Sequence, residues 1–372
     1  MKVLHIIARF NVGGTASWLS TLSKELIEAG NSSIIVTGNV KFPEIESVKL
    51  ERLPHFRIPE LGRTLRFSDD IRSFFKLRNL MREINPDIVN THTAKAGVLG
   101  RLAALSLGYS RPAIVHTIHG HLLTGYFGKL KVRLVILVES FLARYSDFLL
   151  FAGMKVQEDC IQAGIGTYER SCVVKPGVEV PSEIGKSFND TGDFSRTGKI
   201  RVGWLARVTA VKRPERVIEV ALRLPEIDFV IGGEGELLSP LSKIAPKNCH
   251  FLGWVSPKEF WQSVDIALLT SDNEAMPISI IEAQLQGLPC VATNAGSTAE
   301  VVLDGVNGFV TDMSIDALSE KIAKLASDEG LRKNFGMIAK TRAIELFSPK
   351  SQLSDHLKAY EMALEIRKRS RQ

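Results

Sequence analysis

The sequence predicts an α/β protein with two doubly wound, Rossmann-like parallel-sheet domains facing a central cleft. Its 372 residues, 45% hydrophobic and 24% charged, give room for about two domains with full cores. Short apolar runs alternate with segments whose apolar residues recur at helical spacing, the pattern of helices laid on both faces of a parallel sheet. That alternation lapses in a polar stretch with Pro181, Gly185, Gly192 and Gly198, then restarts. The expected domains are therefore 1–180 and 199–349, joined by a linker at 181–198. A C-terminal helix over about 350–372 is placed to pack back on the first domain.

Residues 2–8 form the first apolar strand. Asn11-Val12-Gly13-Gly14 turns it into a helix with Trp18, Leu19, Leu22, Leu26 and Ile27 on one side, stopped by Gly30. Residues 32–37 and 48–53 follow as strands, 68–84 as a helix, 87–91 as a strand after Asn85-Pro86, and 95–107 as a helix. A strand at 113–118 ends in His119-Gly120-His121; a helix at 128–144 and a strand at 147–151 come next, and Lys175-Pro176-Gly177-Val178 closes the block. The second block has a strand at 200–205, a helix at 213–223 and a strand at 228–231 ending in Gly232-Gly233-Glu234-Gly235. Further units lie at 250–252, 257–263, 264–270, 277–286 and 290–293. From Ile315 onward only helical patterns remain, ending over 352–369 and in the basic tail Arg367-Lys368-Arg369-Ser370-Arg371. The tail either complements a helix C-terminus or touches anionic lipid.

The four cysteines, Cys160, Cys172, Cys249 and Cys290, are scattered without Cys-x-x-Cys spacing. They argue against a zinc site and a disulfide framework, and fit a reducing cytoplasm. The N-terminal apolar run is too short for a signal peptide, and no stretch approaches the roughly 20 apolar residues that span a bilayer. A net charge of +6 admits anionic partners. Basic and large apolar residues interleave over 63–82 (Arg66, Phe67, Arg72, Phe75, Lys76) and 126–137 (Phe127, Lys129, Lys131, Arg133). That composition suits either an amphipathic helix on an anionic membrane or a core-facing helix with a solvated basic side.

The chemistry centres on residues 271–284. A buried strand runs into a helix near Pro277, so amides free of partners and a positive dipole end gather there, a seat for phosphate. Glu274 lies in the loop before the helix and Glu282 one to two turns into it. Carboxylates accept hydrogen bonds from sugar hydroxyls, so the arrangement suits a ligand with phosphate in the middle and polyols at both ends; alternatively the two glutamates simply face water beside a helix N-terminus. Arg207 and Lys212 follow the strand at 200–205, where fixed cations can neutralise a leaving diphosphate. Gly13 and Gly14 let backbone approach a phosphate, without the Gly-x-Gly-x-x-Gly spacing of a dinucleotide site. His119 occupies the corresponding strand end of the first block, with His116 and His121 as competitors. Asp-x-Asp, the Gly-x-x-x-x-Gly-Lys-Ser/Thr phosphate loop, Gly-x-Ser-x-Gly and His-Glu-x-x-His do not occur.

In this order, the motifs resemble the family 4 retaining glycosyltransferases of GT-B fold over nearly the whole chain. The likeness rests on Asn11-Val12-Gly13-Gly14, His116-Thr117-Ile118-His119-Gly120, Lys175-Pro176-Gly177-Val178, Arg207 with Lys212, Gly232-Gly233-Glu234-Gly235, Glu274 with Glu282, and Asp304-Gly305-Val306-Asn307-Gly308. It implies that Arg207 and Lys212 hold the donor diphosphate, Glu282 the ribose, and Glu274 the donor sugar near its reacting carbon. His119 would meet that sugar from the other domain, and Gly14 with the amides of Met276, Pro277 and Ile278 would frame the phosphates; of those three, only Met276 and Ile278 carry an N–H. It also implies no metal or other cofactor, and a front-face displacement in which the leaving phosphate takes the acceptor proton. Ala206 and Ala275 stand where the family often has glycine. Thr91-His92-Thr93-Ala94-Lys95-Ala96-Gly97 resembles the capsule, O-antigen and lipid-linked oligosaccharide branch. That branch implies a UDP-sugar donor, an undecaprenyl-diphosphate-linked acceptor, an anionic membrane surface and no nucleic acid, at the inner face of the cell membrane. A sugar-nucleotide epimerase or hydrolase on the same architecture, and a non-catalytic partner subunit, are the competing readings.

Overall fold

The computed structural model describes all residues except 42–43, 63, 65, 121–127, 180–197 and 372. His121, the linker expected at 181–198 (save Gly198) and the start of the basic stretch at 126–137 therefore lie outside the described residues. The chain forms two compact units, Met1–Val178 with Pro349–Gln372, and Glu179–Ser348.

In the first unit the elements are β1 (Lys2–Ile7), α1 (Gly14–Glu28), β2 (Ser32–Thr37), β3 (His55–Arg57), α2 (Phe67–Ile84), β4 (Ile88–His92), α3 (Ala94–Leu105), β5 (Ala113–Ile118), α4 (Lys129–Tyr145), β6 (Phe148–Phe151), α5 (Met154–Gln162) and β7 (Ser171–Val173). The second unit holds β8 (Arg201–Leu205), α6 (Pro214–Arg223), β9 (Asp228–Gly232), α7 (Leu238–Ser242), β10 (Cys249–Gly253), α8 (Pro257–Gln262), β11 (Ile266–Leu269), α9 (Ile278–Leu285), β12 (Cys290–Thr293), α10 (Thr298–Val301), β13 (Gly308–Thr311), α11 (Ile315–Ser327) and α12 (Glu329–Leu346); α13 (Pro349–Arg369) returns to the first unit.

Both sheets are parallel, in the orders β3-β2-β1-β4-β5-β6-β7 and β10-β9-β8-β11-β12-β13. Each order reverses beside its first strand, at β1/β4 and at β8/β11, and such a reversal opens a crevice at the C-terminal strand ends. Right-handed crossovers put α2, α3 and α4 on one face of the first sheet and α1 on the other. Leu4, Ile6, Val89 and Ile114 pack with Leu77 and Met81 of α2 and Ala96 and Ala103 of α3. Ile7 and Ile35 instead pack with Ala16 and Leu19 of α1. In the second unit one core joins Val202, Trp204, Phe229, Ile266 and Val291 to helix residues Val217, Leu318 and Phe335.

Residues 48–53, expected as a strand, are instead a 3-10 helix over Val48–Arg52. Of that helix only Leu50 is buried, and a tight turn suffices to drop one side chain into the core. The sheet edge is taken by His55–Arg57, all exposed, where the single apolar residue Phe56 makes no run to read. The basic tail bonds backbone carbonyls: Arg367 reaches Gly108 O and Tyr109 O (3.3 and 2.8 Å), and Arg371 reaches Arg111 O at 2.9 Å. Among the described residues no helix is long and apolar enough to cross a membrane.

α13 also docks through a buried polar chain. Thr117 Oγ1 donates to Asn90 Oδ1 (2.9 Å), and Asn90 Nδ2 donates to Tyr360 Oη (2.8 Å). All three residues are fully buried. Tyr360→Phe leaves the Asn90 amide without its acceptor, so the urea unfolding free energy is expected to fall by about 1–3 kcal/mol; an unchanged value would show that the hydroxyl is not needed to hold the helix.

Candidate functional site

The second unit gathers its polar side chains at the β8/β11 reversal. After β8 the chain passes Arg207 and Lys212 before α6; after β11 it passes Ser271 and Glu274 before α9. Trp204 of β8 donates through Nε1 to Thr270 Oγ1 (2.9 Å), which lies 2.9 and 3.0 Å from the carbonyls of Lys212 and Arg213. Asp272 N donates to Val211 O at 3.0 Å, and the Asp272 carboxylate meets Arg216 at 2.6 Å. The two loops are thus stitched together through backbone, and their side chains converge.

Lys212 Nζ sits 2.5 Å from Glu274 Oε1, and Ser271 Oγ donates to the same oxygen at 2.6 Å. The Glu274 side chain is 8% exposed and that of Lys212 21%, so the pair is sheltered but open on the lysine side. Behind it, a Cβ on Gly296 would lie 1.8 Å from the Glu274 carbonyl oxygen, so no other residue fits there. Gly233 plays the same part for the Arg207 loop, where a Cβ would stand 1.9 Å from Ala206 O. Arg207 is exposed on that loop and does not enter the Lys212–Glu274 pair.

Pro277, expected near the first helical position, occupies the residue before it, and α9 begins at Ile278 without a side-chain cap. Met276 is 7% exposed. Glu282 is half-buried, in the second turn of α9. The Asp304-Gly305-Val306-Asn307-Gly308 motif is architectural. Its buried Asn307 accepts from Leu303 N (2.7 Å) and donates to Val301 O (3.1 Å), bracing the turn into β13.

In the first unit Gly13 and Gly14 follow β1 at the other reversal. Gly13 precedes α1 with φ 152° and ψ 177°, a conformation kept for glycine, and no side chain caps the helix. His119, just past β5, is half-buried, and its Nε2 lies 2.8 Å from His92 Nδ1. His92 Nε2 in turn lies 3.1 Å from His5 Nδ1, and Trp18 packs edge-on against His119 with centroids 5.0 Å apart. His116 points to the opposite face of the sheet, with Nδ1 2.8 Å from Thr91 Oγ1, beside the buried Arg101–Glu139 ion pair. His5 and Trp18 stand in no site motif, and His92 and Ser271 stand only inside longer stretches, 91–97 and 271–284, that give them no role of their own. For the two histidines the signal in the sequence is polarity at strand positions that a doubly covered sheet should keep apolar; Trp18 in α1 and Ser271 in the loop after β11 carry no such signal.

Burial pushes the His5 and His119 rings down to about 3 and His356 down to about 4; nearby His356 adds to the effect on His5 and His119. Burial also holds His92 and His116 well below 6.5, helped by His119 and Arg101 respectively.

Two family models adjoin along the chain: "Glycosyltransferase Family 4" matches residues 12–180, and "Glycosyl transferases group 1" matches residues 189–342. Among curated proteins, the chain is 28% identical to the Escherichia coli UDP-Gal:alpha-D-GlcNAc-diphosphoundecaprenol alpha-1,3-galactosyltransferase, over 74% of this chain and 76% of that protein. It is 25% identical to the E. coli O-antigen biosynthesis glycosyltransferase WbnH, over 88% and 90%. In fold it is similar to Anabaena HepE in complex with UDP-glucose, at TM-score 0.80 and 21% identity, covering 97% of this chain and 99% of that one.

One prediction concerns the five low rings. Depressed folded values mean that the unfolded chain binds more protons below 6.5. Stability is therefore whole above that pH and is lost as pH falls, by up to about 1.4 kcal/mol per pH unit for each ring. Urea titrations between about pH 6.5 and 5, above the carboxylate range, are expected to show a steadily falling unfolding free energy. A flat profile there would contradict neutral buried imidazoles.

With both matched segments and the two parallel sheets in agreement, the chain belongs to the family 4 glycosyltransferases of GT-B fold.

Proposed function

We propose that this glycosyltransferase moves a hexose or N-acetylhexosamine, with retention, from a UDP-sugar to an undecaprenyl-diphosphate-linked saccharide during assembly of a bacterial surface polysaccharide. The observation that carries the proposal is the Lys212–Glu274 contact at the β8/β11 reversal, next to the uncapped start of α9. A cation, a carboxylate and free helix amides there suit a diphosphate followed by a sugar. Lys212 and Arg207 take the diphosphate, Glu274 the sugar and Glu282 the ribose; His119 is the group of the first unit assigned to the sugar. No metal is assigned, and among the described residues no three His, Cys, Asp or Glu side chains cluster as ligands. The names of the relatives support the acceptor class and the uridine donor: one is a UDP-galactose transferase acting on a diphosphoundecaprenol-linked sugar, and others serve O-antigen and capsule synthesis.

Lys212→Ala and Glu282→Ala are each expected to lower transfer by about 100-fold or more with the circular dichroism of the folded chain retained. Full activity in either purified variant would remove the assignment. A thermal-shift and hydrolysis panel of UDP-, GDP- and ADP-sugars is expected to select a UDP-sugar, with turnover unaffected by EDTA; selection of a GDP-sugar would overturn the donor.

Two helices of the first unit support contact with a membrane. α4 exposes Leu130, Leu134, Leu137, Phe141 and Tyr145, spaced along one side, beside exposed Lys131 and Arg133. α2 buries Leu77 and Met81 but exposes Phe67, Ile71 and Phe75. Both pack against α3 on the same face of the sheet, so we place that face on the anionic inner surface of the cell membrane. Leu134→Glu with Phe141→Glu is expected to abolish co-sedimentation with anionic vesicles, and 0.5 M salt, at about a 4–5 Å screening length, to weaken it. A wild-type protein that stays in the supernatant at low salt would sink this assignment.

A further inference from the structure

His5, His92 and His119 come from the neighbouring strands β1 and β4 and the end of β5, on the sheet face covered by α1 and α13. Their rings form a column, with centroids 5.4 Å apart at 28° and then 5.0 Å apart at 33°. The nitrogens meet in series, His5 Nδ1 to His92 Nε2 at 3.1 Å and His92 Nδ1 to His119 Nε2 at 2.8 Å. A neutral imidazole carries one N–H, so two hydrogen bonds in a row can run in only two directions. Run inward from His119, the last proton sits on His5 Nε2, a buried atom with no hydrogen-bond partner among the described residues. Run outward from His5, the same nitrogen is a bare acceptor. An orphaned buried N–H costs about 1–3 kcal/mol and is rarer than an under-used acceptor, so the outward direction wins.

We propose that His5 and His92 are positioning residues that hold His119 with its proton on Nδ1, so that the first unit offers a neutral N–H donor to a hydroxyl oxygen of the donor sugar. Trp18, perpendicular to the His119 ring at 89°, fixes its rotation. His356, beside Trp18, has its own proton placed on Nδ1 by the carbonyl of Gln352 at 2.8 Å. A neutral donor selects a hydroxyl oxygen, whereas a cation in its place would compete for the phosphates. The hydroxyl ligand rests on the transferase reading; the direction of the chain does not.

The test uses full-length protein with nitrogen-15 in its histidines, imidazole spectra at pH 7, and His119→Gln to identify the His119 resonances. Nδ1 protonated and Nε2 bare on His119 is the expected result. Nε2 protonated, or both nitrogens protonated, overturns the proposal, and because no donor is present this outcome is independent of whether transfer is ever observed. His5→Phe then removes the donor at the head of the chain. The folded variant is expected to show His119 in mixed tautomers and kcat/KM for transfer lower by about 10- to 100-fold, as when other partners that fix a ring are removed. A folded variant whose His119 stays wholly Nδ1-protonated overturns the role given to His5 and His92. If that variant does not fold, the wild-type spectrum alone decides.

Discussion

Covering a parallel sheet on both faces leaves its polar side chains two options: to be paired within the layers, or to stand at the strand ends where the helices stop. The first unit shows both. Thr91 and His116 on one face join the Arg101–Glu139 pair between α3 and α4, and Asn90 and Thr117 on the other face are tied to Tyr360 of α13. Past the C-terminal ends of β1 and β5 the chain comes toward the surface, at Gly13, Gly14 and His119. In the second unit buried polar side chains such as Gln284, Thr298 and Asn307 bond backbone carbonyls around the apolar core, and Lys212, Ser271 and Glu274 stand at the reversal point.

Where burial is two-sided, the sequence is easy to read. β1, β2, β5 and β12 are mostly apolar and β-branched, interrupted at Lys2, His5, Ser32, Ser33 and His116, and the expected bounds differ from the observed ones by a residue or none. Edges are harder. β3 is three exposed residues, and β7 and β13 are short strands at the far edges of their sheets. Their placement follows from backbone pairing with a neighbour rather than from side-chain pattern, so the apolar Val48 and Leu50 drew the strand assignment that belonged to His55–Arg57. α5 has only Val156 and Cys160 buried, too thin a stripe to stand out.

Site residues were legible where chain order itself fixes geometry. A cation just after one strand and a carboxylate just after another land on the same sheet edge, because parallel strands all end there. What chain order does not give is the partner. Lys212 and Glu274 are 62 residues apart, His5 and His92 are 87 apart, and Asn90 and Tyr360 are 270 apart. Ser271 looks like any loop serine until its hydroxyl is seen on the Glu274 carboxylate. Lys212 and Arg207 looked alike in sequence, yet one is held in an ion pair and the other stands in solvent.

That difference bears on how such a site can work. Removing a carboxylate and an ammonium from water costs about as much as their attraction returns, so the sheltered Lys212–Glu274 contact adds little net stability and is free to exchange. Under the proposed function a donor phosphate takes the place of Glu274 on the lysine, and Ser271 keeps one hydrogen bond on the carboxylate while its other capacity turns to the sugar. The resting pair thus keeps two charges ordered at the place where a diphosphate and a sugar adjoin, and much of the ordering cost is met before the ligand arrives. Under the same proposal Arg207, exposed on its loop, has its ordering still to come, which would give the two cations separate parts: Lys212 defines the position, and Arg207 closes on a phosphate already placed.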